Sequence, residues 1–167
     1  MGASFNGGRF ALSPEVYETI NLPAVASTVI SVGDHLCINS GVVEPVSKST
    51  AGISSSVAEI GAAYVGVALQ GKLAADSSAG TPGYTGDGIV VALSCIYTAN
   101  VTGAASAIGS TVVGVVGATG DNTFAIGSTA GSIVGQILQP KVGSGTEQLR
   151  VRLVGKLSAL RAADSIP

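Results

Sequence analysis

The chain has 167 residues, 24 of them glycine, with no tryptophan and only 11% charged residues. That is enough for one domain burying roughly 70% of its unfolded surface. The net charge of −2 excludes a general nucleic-acid binder, which needs a basic face and a high pI, and the apolar content excludes disorder. A freely soluble monomer usually carries about 25% charged residues, so a partner is expected to cover part of this surface.

Residues 1–28 hold three of the seven aromatics, Phe5, Phe10 and Tyr17, with a Gly-Gly pair and no sustained period of 2 or 3.6. This composition reads as an N-terminal arm. Ser13-Pro14-Glu15 suits the start of a short helical turn, since Ser caps well and Pro is tolerated at the first helical position. The aromatics need a surface to pack on, either a neighbouring subunit or the chain's own domain.

From residue 29 to 155 the pattern is strand, turn, strand, which defines a β domain. Thr28, Ile30 and Val32 alternate before a Gly33-Asp34 turn. Further strand-like runs follow at 42–46, 64–69, 89–97, 111–116, 132–138 and 149–154. In the last of these Leu149, Val151 and Leu153 alternate with Gln148, Arg150 and Arg152, so one face is core and the other is wet. Clusters such as "SSAGTPGYTGDG" and "GATGDN" supply the turns. Only 54–63 and the tail after Gly155 have helical spacing, and residues 156–167 form a short C-terminal tail.

Two stretches recur. "SVGDHLCI" (31–38) resembles "AIGSTVVG" (107–114), and "AYVGVALQG" (63–71) resembles "SIVGQILQP" (132–140). Offsets of 76 and 69 residues indicate two degenerate copies with unequal loops. The expected fold is therefore all-β, a small β-barrel or a β-tulip-like sandwich built from an internal duplication, with the arm and the tail as extensions.

Residues 141–161 hold five basic residues, Lys141, Arg150, Arg152, Lys156 and Arg161, against Glu147, for a local charge of +4 on a body of −6. A basic region on an acidic body fits docking on an acidic protein surface. The plainer alternative is a solvated strand edge protected by charge.

Chemistry is sparse. GxGxxG, Walker, GxSxG and HExxH patterns are absent. The single histidine, His35, adjoins Asp34 at the mouth of a strand, where neighbours point to opposite faces. Asp76, Asp87 and Asp121 lack calcium-loop spacing and read as turn formers. Cys37 and Cys95 lie in apolar strands without CxxC spacing and read as buried thiols. The N-terminus has neither the basic nor the apolar region of a leader, which points to synthesis in a cytoplasm, and no run approaches a membrane span. The expectation is a non-enzyme with no cofactor, no metal, no nucleic acid and no membrane.

The order "SVGDHLCINSGVV", "AYVGVALQG", "GDGIVVALSCIYTA", "AIGSTVV", "SIVGQILQP" and "EQLRVRLVG" resembles the small all-β capsid decoration, or cement, proteins of tailed bacteriophages. The resemblance runs from about Ser31 to Gly155. It departs at Cys95-Ile96-Tyr97, where the family carries a Gly before its aromatic, and in both terminal extensions. It implies a virion protein on the outer surface of an icosahedral head, with the major capsid protein and itself, as a homotrimer, for partners. The contact residues proposed are Phe5, Arg9, Phe10 and Tyr17 on the arm and Arg150, Arg152, Lys156 and Arg161 toward the tail. Rival readings are a host-surface or carbohydrate-binding module, for which Tyr84 is the one loop aromatic that stands out, a tail-tube or spike subunit, and a small enzyme.

Overall fold

A computed structural model of the chain describes residues 9–10, 16–48, 57–74, 88–115, 123–129 and 131–158. Among them are ten strands and one α-helix: β1 (Arg9–Phe10), β2 (Val16–Leu22), β3 (His35–Asn39), β4 (Val42–Pro45), α1 (Val57–Ala63), β5 (Tyr64–Ala68), β6 (Ile89–Gly103), β7 (Thr111–Gly114), β8 (Thr123–Ile126), β9 (Ile133–Ile137) and β10 (Gly145–Val154). The fold is all-β, as the turn-punctuated apolar runs require. It contains a closed five-strand barrel, β10-β9-β7-β8-β6, in which β6 pairs back to β10.

The duplication is visible strand by strand. In the first half β3 pairs with β4 and β5, and β5 with the first half of β6; in the second, β7 pairs with β8 and β9, and β9 with β10. Both halves also make one parallel contact, Ala24 with Val43 and Val101 with Phe124. The first circuit thus returns to the end of β2 through a single bridge. β6 serves twice: Ile89, Val91 and Leu93 close the first half, and Cys95 to Val101 open the second. At 15 residues it is the spine joining the copies.

Small irregularities repeat as well. The β3–β5 register slips between Leu36 and Cys37, opposite Gly66 and Tyr64, and the β7–β9 register slips at the equivalent place, between Val112 and Val113, opposite Gly135 and Ile133. Gly33 and Gly109 turn into β3 and β7 with φ of 94° and 88°, a conformation glycine takes without the Cβ penalty. Their N–H groups donate to Ala68 and Ile137 carbonyls. Two-residue bridges, Ile30 with Lys72 and Ser106 with Lys141, close the same corner in each half.

The inward residues are those the alternation selects. Leu149, Val151 and Leu153 are buried with Tyr97, Ala99, Val101, Phe124 and Val134 in the second half, while Leu36, Val43, Val65, Ala68 and Val91 fill the first. Each buried aliphatic contributes roughly 1.5–3 kcal/mol. Tyr64 and Val67 of the first half reach into the second core, so the two halves share packing.

Several expectations need correcting. Residues 28–32 are not a strand: Ile30 makes one bridge and the strand begins after the turn, at His35. β6 continues past Tyr97 to Gly103, because Asn100 to Thr102 hold β8 while the same segment holds β10. The arm contains a seven-residue strand, β2, and both β1 and β2 lie antiparallel along one edge of β6, so over its described part the arm folds on its own domain. β8, "TFAI", was too short to read as a strand. The expected helix at 54–63 is described from Val57; the Ser13–Glu15 turn, Asp76, Tyr84, Asp87, Asp121 and most of the tail lie outside the described residues.

Candidate docking surface

The wet face of β10 is built by simple alternation. Gln148 and Arg150 are exposed and Arg152 is half-buried, two residues apart on the side opposite Leu149, Val151 and Leu153. Strand pairing extends this face sideways. Arg150 lies opposite Thr98, and Thr98 lies opposite Arg9 on its other edge, so the three occupy one row across β10, β6 and β1. In the next row Arg152 lies between Ile96 on β6 and Gln136 on β9. Paired residues project from the same face of a sheet, so Arg150 and Arg152 share the outer face of β6 and β10 with Thr98 and Ile96.

The other expected contact residues are spread around it. Tyr17, on β2, is 57% exposed. Phe10 pairs with Tyr97 through β1. Lys156 is exposed just past β10, and its backbone N–H donates to the Tyr64 carbonyl. Phe5 and Arg161 lie outside the described residues. The structure therefore brings Arg9, Arg150 and Arg152 into two adjacent rows and sets Tyr17 and Lys156 on neighbouring segments.

Lys141 does not belong to the basic surface. It is 2% exposed, and its Nζ donates to the Gly143 carbonyl at 2.6 Å and to Glu147 Oε1 at 3.4 Å. Glu147 in turn accepts from the N–H groups of Gly143 and Val142. These backbone donors, with Lys141, hold its carboxyl below the usual range. The equivalent Lys72, 3% exposed, donates to the carbonyls of Thr28 and Leu73. Two buried lysines pinning two corners are the feature sequence reading missed; their shared 69-residue offset, the same as that of the YVGVALQG repeat, was the available signal.

The groups with chemical potential are inside. His35 is fully buried where the halves meet, edge-on to Tyr97 and Phe124 with ring centroids 5.1 and 4.6 Å away, and its Nδ1 shares a hydrogen bond of 3.1 Å with the Tyr64 hydroxyl. Burial lowers its pKa to about 3, so the ring is neutral at ordinary pH. Burial likewise raises Tyr64 and pushes the Cys95 thiol up to about 12. Asp34 accepts the Ser31 N–H with Oδ2 at 2.7 Å. Cys37 and Cys95 are both free and buried. Among the described residues no three His, Cys, Asp or Glu side chains group as metal ligands, and no helix is long and apolar enough to cross a membrane.

No protein-family model matches the chain, and no curated protein matches it in sequence.

Proposed function

We propose that this protein is a structural virion component that binds the outside of an icosahedral phage head, contacts the major capsid protein and stabilises subunit junctions. The observation that carries the reading is the arginine-bearing strip on β6 and β10, set on a chain of net charge −2 whose histidine and thiols are packed in the core. Such a molecule has contact chemistry on its surface and packing chemistry within. The order of sequence elements that resembles phage cement proteins supports the same reading.

A clamp of this kind stabilises the shell by mass action, because it binds assembled subunits and not free ones. Repetition around a symmetric particle adds avidity to individually modest contacts. Charged rim contacts set the encounter rate and its salt dependence more than the final affinity.

Electron microscopy of the native particle tests the proposal. Density on the capsid at junctions between capsid subunits is the expected result. Density confined to the tail favours a tail-tube or spike subunit instead and overturns it. Glycan binding by the isolated protein, with no binding to purified heads, favours the carbohydrate-binding alternative.

A further inference from the structure

We infer that His35 is an acid-sensitive latch between the two halves of the fold: protonation of its ring releases the β3–β5 face of the first half from the core of the second, while each half keeps its own corner closed. The inference comes from the packing where the halves meet and does not depend on the capsid reading.

At this seam strands of one copy complete the core of the other. Leu36 turns into the first core, and His35, its neighbour on β3, projects from the opposite face. Pairing sets His35 beside Val67 on β5 and Val67 beside Ala92 on β6. Val67, Ala92 and Tyr64 all belong to the second core, so one face of β3–β5 walls that core. Polar ties across the seam include the Tyr97 hydroxyl, which donates to the Gly33 carbonyl at 3.1 Å, and the Lys156 N–H, which donates to the Tyr64 carbonyl at 2.9 Å.

The latch holds only while the ring is neutral. Nδ1 then shares its hydrogen bond with the Tyr64 hydroxyl, and Nε2 is buried with no hydrogen-bond partner. In the cation both nitrogens carry hydrogen and both need acceptors. The titratable groups packed with the ring are Tyr64 on β5 and Tyr97 and Cys95 on β6, and β8 offers Phe124. Phenols and thiols are uncharged in acid, and on β3 itself the Asp34 carboxylate accepts the Ser31 N–H. A cation buried without a facing counter-charge is strongly disfavoured.

Parting the seam lets water reach the ring without dismantling either half. The Lys72 and Lys141 corners do not share the trigger, because their ammonium groups bond the backbone carbonyls of Thr28, Leu73 and Gly143, which do not titrate. Burial holds the ring's pKa at about 3, below the ordinary 6.5. The closed seam is therefore favoured in full above pH 6.5 and weakens as pH falls toward 3.

The test is hydrogen exchange by NMR on the full chain from pH 7 to pH 3, with the ring resonances of His35, the one histidine of the sequence, followed on the same samples. The Lys156 N–H is expected to lose protection by roughly tenfold or more at the pH where the ring charges, while the N–H groups of Ile30, Lys72, Ser106 and Lys141 keep theirs. His35→Gln, which can still bond Tyr64 but cannot charge, is expected to keep Lys156 protected across the range. Should that variant not fold, the coincidence of ring titration and seam opening in the wild type decides alone. A seam that stays closed while the ring charges, corners that open together with the seam, or a glutamine variant that opens at the wild-type pH overturns the inference.

Discussion

Gly66 and Gly135 occupy the same point in successive copies of one structural unit: a Cβ on Gly66 would stand 2.0 Å from the Ala92 carbonyl oxygen, and one on Gly135 would stand 2.2 Å from that of Arg152. At each point a strand slips register against its neighbour while its backbone presses on the next strand. The glycine in "YVGVALQG" is there because the sheet bends too tightly for any side chain.

Alanine at either position therefore forces backbone apart. Gly66→Ala and Gly135→Ala are each expected to cost roughly 1–3 kcal/mol by overpacking, toward the upper end because the obstacle is a carbonyl and not a flexible side chain. Gly41→Ala is the control: its Cβ meets nothing within 4 Å, so the only penalty is φ of 86°, about 1–2 kcal/mol. Chemical denaturation of the three variants measures both effects. The larger loss is expected at Gly66, whose φ of 156° adds backbone strain to the clash, while Gly135 carries the clash alone.

His35 makes stability depend on pH. Its folded pKa of about 3 lies below the ordinary histidine value of 6.5, so the unfolded chain binds the proton more readily between those values. Stability from this group is complete above pH 6.5 and falls as pH drops toward 3, by up to about 5 kcal/mol. His35→Leu removes the titration and flattens this part of the profile, at the cost of the Tyr64 hydrogen bond. Unfolding free energies of wild type and variant from pH 7 to pH 3 give the difference; parallel curves would contradict the assignment.

The thiols report on the same core. Cys95, held near 12 by burial, presents almost no thiolate at neutral pH, and Cys37 is shut away from solvent in the core. Neither is expected to react with a thiol reagent in the native protein, and both react in denaturant. Labelling followed by mass spectrometry reads the two states directly.

On the surface, Arg150→Glu and Arg152→Glu reverse charge on the wet face of β10 while leaving Leu149, Val151 and Leu153 in place. Stability should change little, within about 0.5 kcal/mol. Under the capsid proposal, association with purified heads slows in the double variant, and the salt dependence of the wild-type rate is reduced. Kinetics by surface plasmon resonance at two salt concentrations would show it. Unchanged rates assign these arginines to solvent and not to contact.

The fold was largely legible because β patterning is local. Alternation at Leu149 to Leu153 and the paired stretches at 31–38 with 107–114 and 63–71 with 132–140 reveal both the strands and their duplication. β2 escaped because only its inward residues, Val16 and Leu22, pack on the cores, so "VYETINL" shows no clean period. The double service of β6 is a property of topology, which no local pattern encodes. The site was legible only in part. Arg150 and Arg152 follow from alternation, but placing Arg9 in the row of Thr98 needs the pairing, and Lys141 looked like surface charge until its partner Glu147 was placed six residues away across the turn.

Lys72 and Lys141 supply the last test, because each ties down an equivalent corner of its own half. Each ammonium is bonded to carbonyls, of Thr28 and Leu73 in one half and Gly143 in the other, and Lys141 is bonded to the Glu147 carboxylate as well. Lys72→Met and Lys141→Met keep the apolar stem in place and remove the donor. Each is expected to cost roughly 1.5–3 kcal/mol, the range for a hydrogen bond to a charged group. Hydrogen exchange locates the damage: the N–H groups of Ile30 and Lys72, which bond each other's carbonyls, lose protection in the first variant, and those of Ser106 and Lys141 in the second. Loss confined to the corner of the substituted half shows that each lysine pins its own copy, whereas loss in both halves would mean the copies melt as one through β6.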